Sequence, residues 1–200
     1  MIESRLLESG ISLIAGVDEA GRGACAGPIV IAAVVLRDIE AAELSGVRDS
    51  KELTPEKREA LYEVIQNLAL AHSIVEISPV DIDRNGLHRS NIDGMRRAVE
   101  ALEIRPDYVL TDGYPIPGLA MPNLAVWKGD QVALSISAAS IIAKVYRDRV
   151  MRELDKKLPG YGFASHKGYV TASHQRAIEK LGVTEAHRRS YANIAELLNK

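Results

Sequence analysis

Two hundred residues, 46% hydrophobic and 26% charged, suffice for one domain with a sizeable core and match an ordinary soluble globular chain. One cysteine, Cys25, excludes an internal disulfide and a small secreted stapled fold; no apolar run reaches the roughly 18 residues of a membrane span, and the opening Met-Ile-Glu-Ser-Arg lacks the segments of a signal peptide, so the expected compartment is the cytosol. The net charge of −2 is unevenly spread, with 13 Lys/Arg against 21 Asp/Glu in residues 1–143 and 12 against 6 in residues 144–200, a pattern suited to a polyanion on one face and cations on another, or to surface helices that merely carry charge.

Residues 11–18 and 28–36 are apolar and rich in β-branched side chains, and predict buried strands joined as a hairpin by a short connection with three Gly residues running into Pro28. Thr54-Pro55 starts a helix with Leu61, Val64, Ile65 and Leu68 as its apolar stripe. A strand is predicted over 73–77, a short helix from Ser78-Pro79, and a further helix marked by Ile92, Met95, Val99 and Leu102. Strands at 107–111 and 123–127 follow, then a long helix from Leu134 to Met151 whose small residues suit close packing on a sheet. Helices near 171–181 and 184–198, separated by Gly182, close the chain. The pattern is α/β, an antiparallel hairpin leading into parallel strands.

The run Ile14-Ala15-Gly16-Val17-Asp18-Glu19-Ala20-Gly21-Arg22-Gly23 ends an apolar strand on two carboxylates and a glycine-bracketed arginine. Carboxylates hold hard cations, glycines let backbone approach a ligand, and arginine suits phosphate. Asp112 and Asp130 also stand just after predicted strands. Singly they read as a turn residue and a helix cap; together, three strand ends deliver carboxylates to the place where α/β sheets gather ligands. Alternation sends Asp18 and Glu19 to opposite faces, so joint action predicts a break in strand geometry at Ala20-Gly21. An all-oxygen donor set fits Mg²⁺ or Mn²⁺ rather than zinc.

Rival readings are weaker. Gly21-Arg22-Gly23-Ala24-Cys25-Ala26 fits a loose dinucleotide-loop pattern, yet Gly27-Pro28 and a β-branched run follow where a helix should begin. A glycosidase carboxylate pair does not account for the neighbouring cations Arg22, Lys51, Lys128, Lys144 and Arg147. With His166-Lys167-Gly168-Tyr169 and His187-Arg188-Arg189-Ser190, these make the parts of a nuclease, although each cation alone reads as solvated surface. Trp127 reads as core, Cys25 as a small core or turn residue, and Lys144 with Asp148 as an i, i+4 pair.

From about Ala15 to about Tyr191 the chain resembles bacterial ribonuclease HII. The resemblance rests on Gly16–Gly23, Asp49-Ser50-Lys51-Glu52-Leu53, Asp112-Gly113, Lys128-Gly129-Asp130, Ser137–Asp148, Tyr161-Gly162-Phe163, His166–Tyr169 and His187–Ser190. It implies an RNase H-like mixed β-sheet flanked by helices in a single domain over 1–200, with a catalytic core of about 11–155 and a basic helical C-terminal extension of about 156–200. The implied enzyme is a monomer that cuts RNA in RNA–DNA hybrids and cuts 5′ of single ribonucleotides embedded in duplex DNA, leaving 3′-hydroxyl and 5′-phosphate ends, in ribonucleotide and primer removal. Asp18, Glu19, Asp112 and Asp130 match the family's acids for a two-metal Mn²⁺ or Mg²⁺ site. Gly21-Arg22-Gly23 matches the segment that senses the ribose 2′-hydroxyl, and Tyr169 the tyrosine that stacks on the following deoxyribose. Lys51, Lys128, Lys144, Lys167 and Arg188 are candidate phosphate contacts. Ala24-Cys25 departs from the family's more frequent Pro-Leu, and Gly86 interrupts a helical region.

Overall fold

A computed structural model describes residues 2–199. Five strands, β1 (Ile14–Ala20), β2 (Ile29–Leu36), β3 (Ala69–Ile77), β4 (Tyr108–Asp112) and β5 (Asn123–Val126), form one sheet in the order β3-β2-β1-β4-β5. β2 pairs antiparallel with both β1 and β3, whereas β4 runs parallel to β1 and to β5. The mixed sheet is the one the sequence predicts.

β2 explains its own composition. Ile29, Ile31, Ala33 and Val35 pack into the core on one face with Met95 and Val99; Val30, Ala32, Val34 and Leu36 pack on the other with Ile65, Ile141 and Ile142. A strand covered on both faces reads as an unbroken apolar run. The first cover is α3 (Pro79–Asn85) and α4 (Leu87–Glu100), separated at Gly86, whose φ of 82° ends one helix and admits the next. The second is α2 (Pro55–Leu68), capped by the Thr54 side chain, and the long helix below.

After a one-turn helix, α5 (Gly129–Val132), the chain enters α6 (Leu134–Lys157), which outruns the predicted end at Met151. Gly16 sets its approach: a Cβ there would lie 2.0 Å from the Ser135 carbonyl carbon, so only glycine admits the first turn of α6 against β1. The N-terminal helix α1 (Ile2–Glu8) reinforces that turn, since the buried Glu3 carboxylate accepts from Ser135 N at 2.9 Å and Ser135 Oγ at 3.0 Å. Such a carboxylate stabilises both the free amides and the positive end of the helix.

Three short helices, α7 (Phe163–His166), α8 (Ala172–Leu181) and α9 (Ala192–Leu198), pack a smaller core of Met151, Phe163, Ile178 and Ile194 against Cys25 and Ala26. The helix predicted over 184–198 begins only at Ala192. Residues 184–191 instead lie against the β1–β2 connection, where His187 bridges Ala26 and Arg188 N donates to Cys25 O at 2.8 Å. Their backbone supplies partners to a loop that has left the sheet.

Candidate active site

Register brings the acids together. Val17 pairs with Thr111 across the parallel β1–β4 ladder, so the next residues, Asp18 and Asp112, stand side by side at adjacent strand ends. β5 pairs Val126 with Asp112 and ends. Lys128 then takes a left-handed conformation (φ 53°) and delivers Asp130 in α5. The turn is fastened by Gly129 N donating to Asp112 Oδ1 at 2.8 Å and by Ser137 Oγ donating to Asp130 O at 2.8 Å. Carboxylate oxygens of Asp18, Asp112 and Asp130 lie within 4.8 Å of one another.

Glu19 stands apart from that trio. β1 stays in register with β2 through Ala20 and leaves the strand only at Gly21, so both acids keep strand geometry and alternation sends Asp18 and Glu19 to opposite faces. Glu19 turns toward the buried Asn91 of α4 and Arg22, while still bordering the same cavity as Asp112. Its Oε2 is buried without a hydrogen-bond partner, as is the amide of Asn91. The sequence reading missed Asn91; a polar residue one helical turn before core Met95 was the available signal.

The cluster is held against its own charge. Burial, then Glu19 and Asp112, push the Asp18 carboxyl well above its ordinary range. Burial and Asp112 raise Glu19 to about 7, against the pull of Arg22. Burial and Asp49 raise Asp130, opposed by Lys51. Lys51 Nζ lies 3.3 Å from Asp130 and 3.9 Å from Asp49, on a side chain 76% exposed. Like carboxylates in a desolvated group disfavour their charged forms, and a divalent cation removes that penalty. Three carboxylates with no imidazole or thiol among them fit Mg²⁺ or Mn²⁺.

Beside the acids, Gly21 has φ 86°, and a Cβ on it would meet Arg147 Nε at 1.8 Å. The turn is clamped from below. Fully buried Arg188 donates to Gly21 O (2.8 Å), Arg22 O (2.9 Å) and twice to Gly27 O (3.0 and 2.9 Å). Arg147 donates to Pro28 O at 2.9 Å and Ala26 O at 3.2 Å. Arg188, expected as a phosphate contact, is therefore a positioning residue: carbonyls released from the sheet need donors, and guanidinium supplies several in one plane.

The remaining expectations divide. Tyr169 is 41% exposed, its ring 4.0 Å from where a Cβ on Gly23 would stand and 5.6 Å from the Arg147 guanidinium. Arg22 sits 5.1 Å over the Tyr114 ring. Lys144 pairs with Asp148 at 2.6 Å, and burial lowers its pKa although Asp148 opposes this. Lys167 donates to Ala164 O, and Lys128 is exposed at the rim. Trp127 is no core residue: β5 stops one residue earlier, and the indole is 82% exposed. Cys25 is buried as expected, 3.7 Å from His174 Nδ1.

Two cavities, of about 410 and 190 Å³, share Glu19, Arg22, Lys51 and Asp112 and diverge beyond them. The smaller reaches Gly21, Gly23, Lys144 and Tyr169, the larger Tyr114, Trp127 and Gln131.

Residues 15–194 match the family model described as Ribonuclease HII. Ribonuclease HII of Corynebacterium jeikeium (strain K411) is 55% identical over 195 residues, covering 97% of this chain and 94% of that protein. Ribonuclease HII of Mycobacterium avium (strain 104) is 52% identical over 198 residues, covering 99% and 86%. Among solved structures, ribonuclease H2 from Pyrococcus horikoshii OT3 superposes with a TM-score of 0.81 at 28% identity, covering 94% of this chain and 97% of that one. With the acids at the ends of β1 and β4 and the clamped glycine turn in place, a match spanning nearly the whole length shows that the chain belongs to the ribonuclease HII family of endoribonucleases.

Proposed function

We propose that this chain is a monomeric, cytosolic, divalent-metal-dependent endonuclease. It hydrolyses the RNA strand of RNA–DNA hybrids and incises 5′ of single ribonucleotides in duplex DNA, leaving 3′-hydroxyl and 5′-phosphate ends. One observation carries the reading: Asp18, Asp112 and Asp130 converge within 4.8 Å next to a turn at Gly21–Gly23 whose backbone is clamped for close approach.

Asp18, Asp112 and Asp130 hold the cations, with Glu19 completing the set from the opposite face of β1. Bound there, a cation pair supplies an activated water and stabilises the departing 3′-oxygen. The chain does the rest by position. Gly21 lets the turn lie on Arg147 and Gly23 carries no side chain to keep a sugar away, so the backbone there reads the 2′-hydroxyl that separates RNA from DNA at one nucleotide. Arg22 adds charge at the phosphate, with Lys128 and Lys51 at the rim. The exposed ring of Tyr169, beside Gly23, stacks on the next deoxyribose, which selects an RNA–DNA junction. Manganese and magnesium both suit the donor set.

The test is cleavage of a DNA duplex containing one ribonucleotide, with Mg²⁺, Mn²⁺ or chelator. Metal-dependent incision 5′ of the ribonucleotide is the expected result. Product formation in chelator, or no incision with either metal, would overturn the reading; wild-type junction preference in Tyr169→Ala would remove the role of that ring.

A further inference from the structure

The chain has a single tryptophan, and an exposed aromatic side chain by itself is ordinary surface. Trp127 differs in standing on a backbone that is fixed. Val126 before it is buried and paired with Asp112, Lys128 after it is held left-handed at φ 53°, and Gly129 N is bonded to Asp112 Oδ1. The same backbone that delivers Asp130 therefore sets where the indole is attached relative to the acids, and leaves the residue 82% exposed on the lining of the 410 Å³ cavity. That cavity and the smaller one share Glu19, Arg22, Lys51 and Asp112, so the two adjoin beside the acid cluster, with Tyr169 lining the smaller and Trp127 the larger.

We propose that Trp127 packs on a nucleotide of the cleaved strand on the 5′ side of the scissile phosphate. The inference rests on the nuclease reading above. With the ribose at Gly21–Gly23 and the following deoxyribose on Tyr169, the scissile phosphate lies at the acids, and the strand leaves in the 5′ direction through the larger lobe. There Trp127 offers an aromatic face, with Lys128 beside it for the backbone. Aromatic faces stack without regard to base identity, so Trp127 adds affinity for the upstream strand and not sequence preference.

Because Trp127 is the only indole, its emission reports its own contact. The wild-type protein is titrated in chelator with two labelled duplexes, each with one ribonucleotide, one extending several base pairs upstream and one ending at the scissile position. Label anisotropy measures binding independently. Quenching by the extended duplex but not by the truncated one is expected. In metal, Trp127→Ala raises KM for the extended duplex by roughly five- to thirtyfold with kcat little changed, and Trp127→Phe restores most of it. Unchanged emission while anisotropy records binding, or a wild-type KM in Trp127→Ala, would overturn the proposal. A wild-type protein that neither binds nor cuts either duplex would instead remove the nuclease reading, and this role with it.

Discussion

At the ends of β1, β4 and β5, three carboxylates crowd within 4.8 Å, with Lys51 their ion-pairing partner at 3.3 Å from Asp130, and Glu19 keeps a buried oxygen unpartnered. Beneath the neighbouring glycine turn the rule is reversed. Arg188 spends all five of its N–H groups on Gly21, Arg22, Gly27 and the Tyr191 hydroxyl, which accepts at 2.8 Å. Behind it a histidine chain is as complete. Thr184 N donates to His187 Nδ1 (3.0 Å), His187 Nε2 to His174 Nε2 (3.3 Å), and His174 Nδ1 to Tyr169 O (3.0 Å), which assigns both rings as neutral. At this site the buried polar groups left short stand where a ligand is awaited, and those fully matched hold the ligand's neighbours still.

The largest effect should come from the region left short. Asp112→Asn keeps an oxygen for Gly129 N but removes a charge that disfavours ionised Asp18 and Glu19. Cleavage is expected to fall by about 10²–10³-fold or more, a loss typical of removing one electrostatic group from a reaction centre. The metal-free protein should melt at a higher temperature. Single-turnover rates and thermal melts check the pair; a lower melting temperature would show that the cluster is not under repulsive load.

The matched region should respond in the opposite sense. Arg188→Met orphans buried carbonyls at Gly21, Arg22 and Gly27, and loss of about 3 kcal/mol or more is expected from denaturant unfolding. Arg188→Lys cannot span the same acceptors and should recover only part. Stability close to wild type in Arg188→Met would return the residue to the surface role that its charge first suggested.

That residue shows where sequence reading stopped. The acids were legible because Asp18 and Asp112 each close an apolar run and Asp130 stands just past another, and β2 because a doubly covered strand is apolar throughout. Arg188 was not, since full burial of arginine depends on a loop conformation that the one-dimensional pattern lacks. Trp127 misled for a related reason: β5 is an edge strand, and an indole one residue past its end has no layer to enter. Glu19 was placed in the site, but its face followed from ladder register continuing to Ala20.

A pH profile distinguishes the two regions further. His187 takes up a proton near 6.5 when unfolded, whereas burial and then His174 hold the folded group down to about 4. Between those values the unfolded state binds more protons, so this group's contribution to stability falls as pH falls. The raised carboxyls of Asp18 and Glu19 act with the opposite sign as the acid cluster takes up protons. Comparison of wild type with His187→Gln isolates the histidine: the wild-type stability curve should be steeper between pH 6.5 and 4, by up to about 1.4 kcal/mol per pH unit. Parallel curves would mean that the chain under Tyr169 is not held neutral.

The smallest effect tests the one cation that joins the two regions' logic. Burial works against the charge on Lys51, but Asp49, Asp130 and Asp18 outweigh it and raise its pKa. With its side chain 76% exposed, the pair with Asp130 is solvent-screened, so Lys51→Met should change metal-free stability by less than about 1 kcal/mol. Its charge nevertheless competes with a cation for Asp130, and calorimetric titration of Mn²⁺ should show tighter binding in the variant. If Lys51 turns to the substrate once a cation holds Asp130, the salt dependence of duplex binding should lose about one unit of slope. Tighter metal binding with an unchanged slope would make Lys51 a counter-ion alone; loss of slope would make it a cation that belongs to the acids before the substrate arrives and to the phosphates afterwards.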